Sequence, residues 1–178
     1  PFVFPTISIH EAFSFPTSML LRNLMAMDTE EMLRALPLDS AVLIGGCDKT
    51  IPAELMGAIS ADVPSIVIPV GPMLAGRHEG ARLGACTDCR RLWAAFRAGA
   101  LDEAALNRAH DQLMPTAGTC MVMGTATTMA TLAETLGFTL PGAATAPAVS
   151  SERMRLAEAT GARAVEMAKA GGPRPREL

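Results

Sequence analysis

The sequence predicts an α/β fold, a parallel sheet layered with helices, and three observations carry that reading. Two short apolar runs, Ala41–Ile44 and Ser65–Val70, are rich in β-branched residues and end at Gly45-Gly46 and at Gly71-Pro72, as buried strands do. Between them Pro52 suits the first turn of a helix that runs to about Ala61. The strand, helix, strand succession then continues through short connections into further helical patterns, which is how parallel sheets are wired.

Taken in order, the first element is a helix capped by Thr17 or Ser18, with Leu20, Leu24 and Met27 at spacings of four and three marking its apolar face. The strand Ala41–Ile44 follows Pro37 and Asp39, and its glycine pair turns the chain into the Pro52 helix. Ser65–Val70, bounded by Pro64, is the second strand, whereas Arg82-Leu83-Gly84-Ala85 makes a poor one. Leu92–Ala98 and Asp102–His110 read as two short helices divided by Gly99. A longer helix over Met121–Leu136 sets Met121, Thr125, Met129, Leu132 and Leu136 on one face and stops at Gly137, a common helix terminator. The last helix, Ser151–Ala170, is amphipathic, with Glu152, Arg155 and Glu158 on its wet side. No internal repeat is visible.

At 178 residues the chain is long enough for one domain with a single core. A hydrophobic fraction of 49%, a charged fraction of 19% and a net charge of -3 describe a soluble globular protein without a basic patch for nucleic acid. Stretches such as Val63–Val70 are far too short to span a bilayer, and no charged-then-apolar leader opens the sequence, so the expected location is cytoplasmic. A first residue that is Pro1 rather than Met, and a polar ending at Gly171-Gly172-Pro173-Arg174-Pro175, read as a piece cut from a longer protein. Four cysteines in such a chain are reduced thiols, metal ligands or core residues rather than disulfides.

The most informative stretch is Gly45-Gly46-Cys47-Asp48-Lys49-Thr50, because it lies where a strand's carboxyl end turns into a helix, the place where open α/β sheets bind ligands. The glycines permit a sharp turn, and the start of the helix offers unpaired N–H groups. A thiol, a carboxylate and an amine then follow in consecutive positions; a buried cysteine beside a solvated Asp-Lys pair is the bland alternative. Cys120, after Pro115-Thr116-Ala117-Gly118-Thr119, precedes a predicted helix whose dipole would favour a thiolate. Two such thiols are half of an iron-sulfur ligand set, or two core cysteines. Cys86-Thr87-Asp88-Cys89 has the spacing of a redox pair or half a zinc site, but no second pair stands near it in sequence. Glu11, in Ile7-Ser8-Ile9-His10-Glu11, is a carboxylate of the kind that binds a hard cation when another, such as Asp48, converges on it. Left alone, it is a surface group.

Together these residues resemble the dihydroxy-acid and sugar-acid (6-phosphogluconate-type) iron-sulfur dehydratase family. The likeness runs from Phe4-Pro5-Thr6-Ile7-Ser8 through Arg22-Asn23-Leu24-Met25-Ala26-Met27-Asp28, Gly45 to Thr50, Gly71-Pro72-Met73, Gly84 to Arg91, Pro115 to Cys120 and Leu140-Pro141-Gly142. The segment Cys86-Thr87-Asp88-Cys89-Arg90-Arg91 is similar to the arabinonate and xylonate dehydratase branch. The resemblance implies that Cys47 and Cys120 hold a [2Fe-2S] cluster and that Glu11, Asp48 and a carbamylated Lys49 hold Mg2+, with Cys86 and Cys89 outside both sets. It implies dehydration of a 2,3-dihydroxy acid, a pentonate in this branch, to the 2-oxo-3-deoxy acid, with iron as Lewis acid on the leaving hydroxyl and magnesium steadying the carboxylate end. It also places a third cluster cysteine upstream and the serine base in a C-terminal β-barrel domain, both absent from residues 1–178. The chain is then a partial N-terminal domain of a homo-oligomeric enzyme, inactive by itself. A thiol redox or zinc module on Cys86 and Cys89, and an inert structural fragment, are the competing expectations.

Overall fold

A computed structural model describes residues 1–7 and 14–178, and the side chains of residues 85 and 86 lie outside that description. The chain is a mixed helix and strand structure with a small parallel sheet. Strand β1 (Ala41–Gly45) pairs in parallel with β2 (Ser65–Pro69), Ala41 opposite Ser65 and Gly45 opposite Pro69. Helix α2 (Thr50–Ala61) makes the crossover and ends at Asp62, which takes the left-handed conformation at φ 55°. On the far edge of β2 the Val67 N–H donates to Phe138 O at 2.6 Å, so the edge is covered without a third regular strand.

Alternation along the strands divides the core. Leu43 and Val67 join Ile51, Leu55 and Ala58 of α2 and Ala130 and Ala133 of α5 (Thr125–Thr135) in the main cluster. Ile66, of opposite parity, packs with Ala164 and Met167 of α6 (Ser151–Ala170). The remaining helices are α1 (Arg22–Ala35), α3 (Ala85–Arg97) and α4 (Glu103–Asp111), and a hairpin of β3 (Arg77–His78) and β4 (Ala81–Arg82) precedes α3. Helices α3 and α4 close on a core of their own, Leu83, Leu92, Leu106, Ala109 and Leu113. Among the described residues no helix is long and apolar enough to cross a membrane.

The strands, α2 and α6 match their sequence expectations almost to the residue, but two helix faces do not. Leu20, Leu24 and Met27 are 68%, 46% and 55% exposed, and α1 instead buries Met25, Ala26, Thr29 and Leu33. The reason is close packing: Gly57 of α2 lies so near that a Cβ there would stand 2.7 Å from Ala26 O and from Thr29 Cβ. Thr29 is tolerated inside because its hydroxyl donates to Met25 O at 2.9 Å. Helix α5 likewise buries Thr127, Ala130 and Ala133 while Leu132 and Leu136 face outward. It also begins at Thr125 rather than Met121, and α3 begins at Ala85, seven residues before the expected Leu92.

Candidate metal centre

Gly45 ends β1 under the inner face of α2. A side chain there would meet Glu54 Oε2 at 2.5 Å and Ile51 Cγ1 at 2.8 Å, and one at Gly46 would meet Val70 Cγ2 at 3.0 Å. Gly45 leaves no room for a side chain without a shift of its neighbours and Gly46 leaves little, and the chain passes between α2 and the end of β2. It then turns through Cys47, Asp48 and Lys49 into α2, with Ile51 N–H donating to Cys47 O at 3.4 Å and Ala53 N–H to Lys49 O at 3.0 Å. The half-buried Cys47 thiol donates to Asp48 Oδ1 at 3.0 Å. Lys49 is buried, 6% exposed, directly before the first residue of α2.

A second loop arrives from the other side. Gly71, at φ +90°, accepts the Thr119 N–H at 2.9 Å, and Thr119 O accepts the Met73 N–H at 2.9 Å, forming a parallel bridge between Pro72 and Thr119. Gly118, at φ +133°, is needed for that approach, since a Cβ there would lie 2.4 Å from Met73 N. Thr119 in turn lies beside the first loop, its Cγ2 3.5 Å from where a Gly46 side chain would begin. Gly45, Gly46, Val70, Gly71, Thr119 and Thr127 line a cleft of about 10 Å³ between the two, room for about one water. Cys47 and Cys120 thus sit on adjoining loops at the carboxyl ends of the two parallel strands. Cys120 is not at a helix start, however: Gly124 caps α5, and residues 121–124 intervene as bends, so the dipole argument for its thiolate does not hold.

Two buried charged groups beside these loops escape sequence reasoning. Glu54 is 4% exposed, its Oε2 has no hydrogen-bond partner among the described residues, and burial pushes its carboxyl up to about 8. Arg153, 5% exposed, donates from Nη1 to Pro69 O at 2.6 Å and from Nη2 to Ala143 O and Ala146 O at 2.6 and 2.5 Å. The available signal is positional, for Arg153 shares the helical stripe of Thr160, Ala164 and Met167 that α6 buries.

Glu11 lies outside the described residues. The segment leading to it is tied down at Ile7, whose N–H donates to Asp28 Oδ2 at 3.0 Å and whose side chain packs on Met25, Ala26 and Ala53. That anchor is beside the first turns of α2, close in sequence to Lys49. Cys86 and Cys89 are both in the first turns of α3, and Cys89 packs against the separate α3–α4 core. Asp88 between them accepts the Gly84 N–H at 2.6 Å and the Arg91 guanidinium at 2.9 and 3.0 Å. The Gly84 bond and the Arg91 pair hold its carboxyl below the usual range. In this segment Asp88 and Arg91 thus fasten a helix start. Among the described residues no three His, Cys, Asp or Glu side chains gather at metal-binding distances.

Comparison with known proteins accounts for the whole chain. The family model described as dihydroxy-acid/6-phosphogluconate dehydratase N-terminal matches residues 1–178. The L-arabonate dehydratase of Azospirillum brasilense is 49% identical over 171 residues, 96% of this chain and 29% of that protein. The 6-deoxy-6-sulfo-D-gluconate dehydratase of Pseudomonas putida is 44% identical over 167 residues, 94% and 29%. The D-xylonate dehydratase of Caulobacter vibrioides is 42% identical over 169 residues, 94% and 28%. The chain spans less than a third of the length of these relatives.

Proposed function

Because the chain belongs to the dihydroxy-acid/6-phosphogluconate dehydratase family, matching its N-terminal model, we propose that it is the cofactor-holding part of a sugar-acid dehydratase acting on a pentonate. The reaction removes water from a 2,3-dihydroxy acid and yields the 2-oxo-3-deoxy acid. The observation that carries this reading is the meeting of the Cys47-Asp48-Lys49 turn with the Thr119-Cys120 loop over the ends of two parallel strands, the usual ligand position of such sheets.

The donor chemistry fits the two groups the family reading requires. Cys47 and Cys120 offer soft sulfur donors from adjoining loops, and both are free thiols, as ligands of an iron-sulfur cluster must be. Asp48 and Glu11 offer hard oxygen donors suited to magnesium. Lys49, buried beside Asp48, gains a third oxygen donor if its amine adds carbon dioxide and releases a proton to become a carbamate. When bound, the [2Fe-2S] cluster supplies a Lewis acid for the departing hydroxyl and Mg2+ supplies charge for the substrate's carboxylate end. The chain's own part is placement. Gly45 lets the first loop pass under α2, and Gly46 lets it lie against Val70 and Thr119 of the second. Asp48 accepts the Cys47 S–H in the cluster-free chain, a bond given up when the sulfur binds iron as a thiolate.

The full-length gene product, purified without oxygen, decides the matter by iron and sulfide analysis, visible spectroscopy and 2-oxo-3-deoxy acid formation from arabinonate and xylonate. The unaltered protein is expected to carry iron and turn over a pentonate. Cys47→Ser and Cys120→Ser should each lower cluster content at least about tenfold, since a lost thiolate leaves an incomplete ligand set. An unaltered protein without iron, or serine variants that keep it, would overturn the proposal.

A further inference from the structure

Arg153 occupies the third position of α6, after its Ser150 cap, and is 5% exposed. A helix start is the positive end of the helix dipole, and a buried cation is costly, so both circumstances disfavour arginine here. Its charge is met by carbonyl oxygens from three places, Pro69 at the end of β2 and Ala143 and Ala146 in the turn before α6. A guanidinium can satisfy several acceptors in one plane; an ammonium is a single point of charge.

What rests on the guanidinium is the strip that receives the Cys120 loop. Gly71 lies against it, since a Cβ there would stand 2.7 Å from Nη2, 2.9 Å from Nε and 2.4 Å from Ala146 O. The carbonyl of Gly71 accepts the Thr119 N–H at 2.9 Å, and the next carbonyl, Pro72 O, accepts the Ala148 N–H at 2.9 Å. The strip is therefore clasped between the α6 side and the Thr119 side. One residue separates Cys120 from a hydrogen bond to the glycine that Arg153 packs against.

We propose that Arg153 is a positioning residue for Cys120: its bond to Pro69 O and its packing on Gly71 fix the Pro69–Pro72 strip, its bonds to Ala143 O and Ala146 O anchor the guanidinium to the turn before α6, and the strip fixes the Thr119–Cys120 loop. The inference rests on the reading of Cys120 as a cluster ligand, but half of its test does not need a cluster. Full-length protein carrying Arg153→Met or Arg153→Lys is compared with the unaltered protein, first cluster-free, by hydrogen exchange of peptides over residues 70–74, 117–121 and 65–69. In Arg153→Met the first two peptides should exchange at least about tenfold faster while the β2 peptide stays protected, with Arg153→Lys in between, because local opening follows the bonds that hold each segment. After anaerobic reconstitution, Arg153→Met should show an altered visible spectrum and midpoint potential and less iron per chain, with partial rescue by lysine.

Exchange that rises equally in all three peptides, or in none, overturns the proposal, as does a reconstituted Arg153→Met protein with unaltered spectrum and potential. Should the methionine variant not fold, the lysine variant decides, and identity with the unaltered protein in both measurements counts against the proposal. If the unaltered full-length protein takes up no iron, the dehydratase reading has failed, and the exchange data alone decide whether Arg153 governs the 117–121 loop.

Discussion

Glu54 is the fifth residue of α2, its carboxyl packed over Gly45 with Oε2 unpaired among the described residues, and burial raises it from 4.5 to about 8. The sign of the consequence follows from proton binding. Between those two values the folded chain holds a proton that the unfolded chain has lost, so stability is full below pH 4.5, falls as pH rises through the window, and levels above about 8. At pH 7 the loss is roughly 3 kcal/mol, at about 1.4 kcal/mol for each unit of displacement. Glu54→Gln keeps the shape and removes the proton equilibrium. Urea unfolding of the cluster-free chain at pH 5, 6, 7 and 8 should show a declining midpoint for the parent and a flat one for the variant, which becomes the more stable protein by pH 7. Equal slopes would mean that Glu54 is ionised in the fold. Glu54 is not legible in the sequence, and Arg153 only through its place on the buried stripe of α6, because the burial of a charged group depends on which segment closes over it. Cys47, Asp48 and Lys49 stand out in the sequence as candidates because three chemistries occupy consecutive positions behind a glycine pair.

Helix spacing exposes two glycines to opposite expectations. Gly57 of α2 has Ala26 O and Thr29 Cβ each 2.7 Å from a would-be Cβ, whereas Gly161 of α6 has nothing within 4 Å. Alanine at either position gains about 0.5–1 kcal/mol in helix propensity. At Gly57 that gain is outweighed by the displacement of a backbone carbonyl, costing about 1–3 kcal/mol as overpacked cores do. Urea midpoints should therefore fall for Gly57→Ala and rise for Gly161→Ala, and a rise in both would show that α1 and α2 can move apart. The same close approach explains where sequence patterning fails. Periodicity finds the regions of α1 and α5 through large residues, Leu20, Leu24 and Met27 in one and Leu132 and Leu136 in the other, and sets each group on one face, yet these residues are exposed. Where two helices meet closely it is the small residues that face inward, Ala26 toward Gly57 and Ala130 and Ala133 toward α2. Strand positions are read more safely, since an apolar run closed by glycine marks the bounds of a strand, but not its burial: β2 is buried throughout, whereas Val42 and Ile44 of β1 are exposed. The Cys120 loop is misread as a helix start for a related reason: Met121, Val122 and Met123 continue the apolar pattern, yet the chain bends through residues 121–124 and the helix starts only after its Gly124 cap.

Cys47 and Cys120 lie on adjoining loops, and the chain between them runs through α2 and β2 and then through a unit of the β3–β4 hairpin, α3 and α4, so the candidate centre joins two parts of the chain across that unit. That unit has a separate core, Leu83, Leu92, Leu106, Ala109 and Leu113, and shares none of these with the cluster around Leu43, Ile51 and Val67. Residues in different packed clusters respond nearly independently to substitution, which makes the two halves of the molecule separable by one core change. Leu106 is 3% exposed, and Leu106→Ala should cost the α3–α4 unit about 2–5 kcal/mol through lost contacts and a cavity. Hydrogen exchange of α3 and α4 peptides in the full-length protein should then accelerate while those of β1 and α2 remain protected. Iron content and visible spectrum should stay at the unaltered level, because the loops bearing Cys47 and Cys120 are held by the strand ends and by Gly71 rather than by Leu106. Cys89 packs on the α3–α4 core, so iron that fell with Leu106→Ala as far as with Cys120→Ser would carry the metal away from the strand ends. It would return Cys86 and Cys89 to consideration and make the two cores one cooperative unit.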